Sequence, residues 1–168
     1  MEIVPFDHSN IDQLTKMIVE LWPECKLDQE YANCVKAMES ERECYFLARA
    51  HGQYIAFIYL NLRFDYVEGA SSSPVGYIEG IYVKPAFRKQ GVAKMLIERA
   101  EKWCRERGTS FLGSDTETDN LDRLLFIRRL DSKSPIGWSL SLRNSLKKRA
   151  PHVQCDAHPT KNNNLRVL

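Results

Sequence analysis

Tyr77-Ile78-Glu79-Gly80-Ile81-Tyr82-Val83, then Lys84-Pro85-Ala86-Phe87-Arg88-Lys89-Gln90-Gly91, then Val92-Ala93 is the stretch on which the fold turns. Its first part is β-branched and aromatic and reads as a strand that begins at Val75. Lys84-Pro85 ends it, because proline has no N–H to give a sheet ladder. From Val92 to Arg107, apolar Val92, Leu96, Ala100 and Trp103 share one face of a helix whose other face is charged, and Gly108 stops it. A helix start presents unpaired N–H groups and a partial positive charge. Gly91 lets backbone come close to a ligand, Ala93 keeps the first turn uncrowded, and Arg88 and Lys89 add cationic character. Such a turn can cradle a pyrophosphate, although the string by itself is equally a basic turn that opens a helix. It is not a Walker loop, which needs Gly-Lys-Ser/Thr, nor a dinucleotide fingerprint, which needs three glycines.

Upstream, Ser9-Asn10 can cap a helix carrying Ile11, Leu14, Ile18 and Leu21, with Pro23 at its exit. Asp28 can cap a second helix with Tyr31, Val35 and Met38 inward. Cys44 to Ala50 and Tyr54 to Leu60 read as strands joined by a His51-Gly52 turn, the second able to run on to Tyr66. Downstream of the long helix, Thr109 to Asp115 is a further strand. An antiparallel hairpin first and a strand–helix–strand unit later predict an α/β (α+β) sandwich, a mixed sheet flanked by helices.

The chain of 168 residues has room for one domain with a real core. No apolar run approaches the ~20 residues of a membrane span, and Met1 to Asp7 lacks the basic start and apolar stretch of a signal peptide. A cytoplasmic location and no membrane partner are expected. Cys25, Cys34, Cys44, Cys104 and Cys155 have no paired spacing, which favours reduced thiols over a disulfide framework. Residues 1–120 hold 14 Lys/Arg against 19 Asp/Glu, and residues 121–168 hold 10 against 3. An acidic body attracts a cationic small molecule and repels nucleic acid.

The run from Tyr77 to Ala93 resembles the central motif of the GNAT acetyltransferase superfamily. Within it, Tyr77 to Val83 with Pro85 is similar to the aminoglycoside 6′-N-acetyltransferases. So are Leu21-Trp22-Pro23, Arg63-Phe64-Asp65-Tyr66-Val67-Glu68-Gly69, Ser73-Pro74-Val75-Gly76, and Ser114-Asp115-Thr116 leading to Asp119-Asn120. The resemblance covers residues 1–120 as an acetyltransferase core. It implies acetyl-CoA as co-substrate, no metal, an aminoglycoside acceptor and antibiotic resistance as the outcome, with room for a homodimer. It also implies that Ile81, Tyr82 and Val83 line the pantetheine arm through their backbone. Arg88, Lys89, Gln90, Gly91, Val92, Ala93 and Lys94 would hold the pyrophosphate, and Asn120 would hydrogen-bond the cofactor further along. Trp22, Cys25, Tyr66, Glu79 and Asp115 would surround the aminoglycoside.

A primary ammonium with a pKa near ~10 costs about 4 kcal/mol to deprotonate at pH 7. A carboxylate beside the amine, directly or through one water, can take that proton. Glu79, on the central strand, is the expected general base, and Asp115 the anchor of another ammonium. A backbone N–H near Tyr82 or Val83 can stabilise an oxyanion. Each residue also has a plainer reading: Glu79 as a solvated carboxylate, Trp22 and Tyr66 as packing residues, Asp115 as a strand end, Asn120 as a helix cap.

After Asn120 the resemblance stops. The family continues with a helix, Gly-Phe and a β-hairpin, whereas Leu121 to Leu130 and the polar, basic end offer neither, nor the tyrosine that serves many members as leaving-thiol acid. The composition switches at the same point. A shifted reading frame explains both, and then the last strands of the sheet are lost and residues 121–168 form a divergent basic segment. His152-x-x-Cys155-x-x-His158 lacks a fourth ligand for zinc, and Leu146-Lys147-Lys148-Arg149 reads as a solvated basic run. Two rivals remain open: a GNAT enzyme for a polyamine or protein amine, and an inactive acyl-CoA-binding relic.

Overall fold

The structure is a computed structural model that describes residues 1–117 and 135–143. Its elements in chain order are β1 (Glu2–Pro5), α1 (Ile11–Leu21), α2 (Leu27–Met38), β2 (Glu43–Ala50), β3 (Gln53–Arg63), β4 (Val75–Val83), a 3₁₀ turn (Pro85–Phe87), α3 (Val92–Glu106), β5 (Phe111–Glu117) and β6 (Gly137–Arg143). They form a six-stranded sheet in sequence order. β1 to β4 run antiparallel to their neighbours, while β5 is parallel to β4 and β6 parallel to β5.

Cross-strand partners share a face, so the register sorts the core. Tyr45, Leu47, Phe57, Tyr59 and Tyr82 lie on one face, which α1 and α2 cover. Phe46, Ala48, Ile58, Leu60, Ile78 and Ile81 lie on the other, which α3 covers, with the Arg99 guanidinium 4.0 Å from the centre of the Phe46 ring. β3 is buried almost throughout because both its faces carry helices. The long helix buries the expected Val92, Leu96, Ala100 and Trp103, together with Ala93, Ile97, Glu101 and Cys104.

Three features depart from expectation. β1 is an edge strand that periodicity does not reveal, four residues long and ending in proline. α2 begins at Leu27, and its buried stripe is Glu30, Cys34 and Ala37, leaving Tyr31 43% exposed. Beyond β5, where the shifted-frame reading leaves no strands, β6 extends the sheet. Ile136 is buried, Trp138 packs against the core and its Nε1 donates to Glu101 Oε1 of α3 at 3.3 Å. Among the described residues no hairpin follows. Asn120, His152, Cys155 and His158 lie outside the described residues.

Candidate active site

β4 and β5 pair over three positions only, Gly76 with Leu112, Tyr77 with Gly113 and Ile78 with Ser114. Past Ile78 the two strands part. The cause lies on the other side of β4, where Ile78 faces Leu60 and Gly80 faces Tyr59, so that Glu79 is an extra residue with no partner position on β3. Such a bulge bends its strand and ends pairing next to it. β5 meanwhile stays with β6 as far as Glu117. The result is a fork whose two prongs are Glu79–Val83 and the end of β5.

Backbone groups line that fork. Lys84 N–H donates to the Ile55 carbonyl on β3. By strand alternation Tyr82 also turns its N–H and C=O to β3, and Ile81 and Val83 turn theirs into the fork. Of the two expected backbone donors, Val83 therefore faces the opening and Tyr82 does not. Arg88 closes one corner, its Nε donating to the Val83 carbonyl at 3.0 Å. The Tyr82 side chain points back to α1, where its hydroxyl donates to Glu20 Oε2 at 2.8 Å. Burial and this carboxylate push the Tyr82 phenol up to about 12.

The loop beyond β4 ends at an open helix start. Lys89 (φ 59°) and Gly91 (φ 84°) both have left-handed backbone, and Gln90 Nε2 donates to the Ala86 carbonyl at 3.0 Å. Gly91 is the N-cap of α3; no side chain caps the helix and its first turn holds no acidic residue. A methyl group placed on Gly91 would meet nothing within 4 Å. The first turn thus has no side-chain cap and no carboxylate of its own to offset its partial positive charge, which suits an anion site. Arg88, Lys89, Gln90, Gly91, Val92, Ala93 and Lys94 all belong to this turn, with Lys89, Gln90 and Lys94 exposed and Lys94 3.6 Å from Glu98.

Glu79 is held on the α1 side of the fork. Arg63, the last residue of β3, donates from Nε to Oε1 at 3.0 Å and from one terminal nitrogen to Oε1 and Oε2, both at 2.8 Å. The Glu79 side chain is 2% exposed and that of Arg63 25%. The guanidinium also lies 3.3 Å from the centre of the Tyr77 ring. Asp115 stands one residue past the last β4–β5 pair, as Glu79 does. Gly113, whose added Cβ would touch the Tyr77 ring at 2.8 Å, fixes the face, so strand alternation puts Asp115 on the same side as Tyr77. Two carboxylates therefore flank the mouth of the fork. Behind them Tyr45 and Tyr59 stack at 4.3 Å, and burial with nearby Glu43 raises both phenols.

Trp22 is 7% exposed and lies across Gly80, where an added Cβ would come within 2.6 Å of the indole. It therefore forms a wall next to Glu79 while also packing the end of α1. Cys25 is 5% exposed and its N–H donates to the Trp22 carbonyl. Its sulfur is disulfide-bonded, against the expectation of reduced thiols, which holds for Cys34, Cys44 and Cys104. Burial pushes those three thiols up to about 12, 11 and 12. None of the three is a thiolate nucleophile at neutral pH. Tyr66 projects from the β3–β4 connection with 88% of its surface exposed, outside the packed wall. Arg63 is the residue that sequence reasoning missed; a charged side chain ending an apolar strand is its only signal. Among the described residues no group of three His, Cys, Asp or Glu is placed to hold a metal, and no helix is long and apolar enough to cross a membrane.

Comparison with known proteins adds to this geometry. The model of the Acetyltransferase (GNAT) family matches residues 9–131. The chain is 39% identical over 121 residues to an aminoglycoside N(6′)-acetyltransferase type 1 of Serratia marcescens, spanning 71% of this chain and 83% of that protein. It is 35% identical over 120 residues to the protein of the same name from Salmonella typhimurium, with the same two shares. Among solved structures, AAC(6′)-Iy in complex with the bisubstrate analogue CoA-S-monomethyl-acetylneamine superposes with a TM-score of 0.74 at 28% identity, over 88% of this chain and 97% of that one. Apo AAC(6′)-IG from Acinetobacter haemolyticus gives 0.71 at 28% identity, over 89% and 100%.

Proposed function

The chain belongs to the GNAT acetyltransferase family, and on that premise we propose that it transfers the acetyl group of acetyl-CoA to the 6′-amine of an aminoglycoside, conferring antibiotic resistance. The observation that carries the proposal is the fork between β4 and β5, opened by the Glu79 bulge and lying next to the uncapped start of α3. The names of the relatives, all aminoglycoside N(6′)-acetyltransferases, supply the acceptor class.

The residues present fit acetyl-CoA. The first-turn N–H groups from Gly91 to Lys94, with Arg88 and Lys89, would hold the pyrophosphate, and the space beside Gly91 is open to receive it. Ile81 and Val83 offer edge N–H groups to an extended pantetheine arm. When bound, acetyl-CoA supplies an electrophilic acyl carbon. The chain's own work is then positional and electrostatic. Glu79 takes the proton of the acceptor ammonium, directly or through one water. Val83 N–H donates to charge developing on the acyl oxygen. Asp115 holds a second ammonium, with Trp22, Cys25 and Tyr66 bounding the acceptor, and no covalent enzyme intermediate is needed. The proposal includes a cytoplasmic location and a homodimer, which sedimentation of the purified chain checks.

Thiol release from acetyl-CoA in the presence of kanamycin tests the reading. The wild-type chain is expected to turn over, and Glu79→Gln to lower kcat/KM by about 100-fold or more. Equal or faster rates with spermidine or a lysine peptide would reject the aminoglycoside as acceptor.

A further inference from the structure

We infer that Arg63 is the positioning residue of Glu79, fixing its carboxylate and keeping it ionised at the mouth of the fork; this rests on the reading of Glu79 as general base. Three hydrogen bonds of 2.8–3.0 Å join the two side chains in a bidentate arrangement. That geometry restrains the carboxylate plane as well as its place. The Tyr77 ring under the guanidinium holds Arg63 in turn. Arg63 owes its position to register: it pairs with Val75 on β4, four residues before Glu79, and the bulge re-aims Glu79 towards it.

The need for a partner follows from burial. A carboxylate whose side chain is 2% exposed is driven towards its neutral form unless a cation faces it. The groups placed around Glu79 are Arg63 and Tyr59 on β3, Tyr77 on β4 itself and Asp115 on β5, with Glu43 of β2 beyond Tyr59. Among these described groups Arg63 is the positive one. Asp115 and Glu43 repel a second negative charge, and Arg63, in bidentate contact, favours it. Without it the carboxyl protonates at higher pH, and a protonated Glu79 neither attracts an ammonium nor accepts its proton.

Two measurements on the full-length chain test this. The first is the pH dependence of kcat/KM for kanamycin in wild type, Arg63→Gln and Arg63→Lys. The second is a ¹³C NMR titration of the Glu79 carboxyl, assigned by its loss in Glu79→Gln, which reads the same coupling independently of turnover. Arg63→Gln is expected to move the Glu79 titration and the acid limb upward by about one pH unit or more, and Arg63→Lys to restore most of the shift. An unmoved carboxyl titration in Arg63→Gln, or a loss of rate equal at every pH, would overturn the inference. Wild-type rates in Glu79→Gln would instead remove the base reading, a result distinct from an unmoved titration beside an inactive Glu79→Gln.

Discussion

Glu30 sits among apolar side chains on α2, 3% exposed, with Asn33 Nδ2 donating to it over a long 3.5 Å. Burial raises its carboxyl above the usual glutamate range, and the hydrogen bond only partly offsets this. The sign for stability follows. The folded state holds the proton more tightly than the unfolded chain, so this contribution is fully present below about pH 4.3. It is lost as pH rises through the folded-state value. Glu30→Gln should therefore melt at a higher temperature than wild type at pH 7, the gap closing at about pH 4, as scanning calorimetry at the two pH values will show. An unchanged gap would mean that Glu30 is not held against its charge. The same residue shows how a helix stripe can be partly misread: apolar periodicity in α2 points to Tyr31, Val35 and Met38, and Val35 and Met38 do pack against the core, but Tyr31 is exposed and a buried glutamate is invisible to such a pattern.

At the scale of elements, the end of α1 packs on β4 through the Trp22 indole over Gly80, beside the Tyr82–Glu20 hydrogen bond. Gly80→Ala puts a methyl 2.6 Å from that ring. Overpacking of this kind should lower stability by about 1–3 kcal/mol and raise KM for the acceptor, read by urea unfolding and steady-state kinetics. Trp22→Phe in the same chain should recover part of the stability, since the two changes share a contact; strictly additive losses would place the strain elsewhere. β2 to β5 and α1 and α3 were legible in the sequence because each has a strong apolar period and a clear stop, as Lys84-Pro85 ends β4 and Gly108 follows α3. β1 was not, being four residues at an edge. β6 was missed although Trp138, Leu140 and Leu142 alternate with Ser139 and Ser141, because that short stretch stands inside the polar, basic end; pairing to β5 and the Trp138–Glu101 bond hold it in the sheet. The loop from Arg88 to Lys94 reads from residue types alone as a basic turn that opens a helix, and the resemblance to the GNAT motif is what makes it a candidate anion cradle. The Glu79 bulge and its bond to Arg63 could not, since both depend on how β3 and β4 align.

Taken whole, the molecule sets a sheet that splits on one side of β4 against a helix that starts where the split opens. The acidic residues Glu79, Asp115 and Glu43 lie on the α1–α2 face, and the cationic turn with its uncapped helix start lies beyond the end of β4. One end suits a polycationic acceptor and the other a polyanionic donor, and the fork joins them. Every assignment in this account needs the donor site to be real, so calorimetric titration of the full-length chain with coenzyme A is the most direct test, run beside Gly91→Val. A side chain at Gly91 strains the left-handed backbone and enters the open space that the proposed pyrophosphate site needs. Saturable 1:1 binding by wild type, weakened about tenfold or more in a folded Gly91→Val, is the predicted result. No affinity for coenzyme A in wild type, or equal affinity in the two, would contradict it.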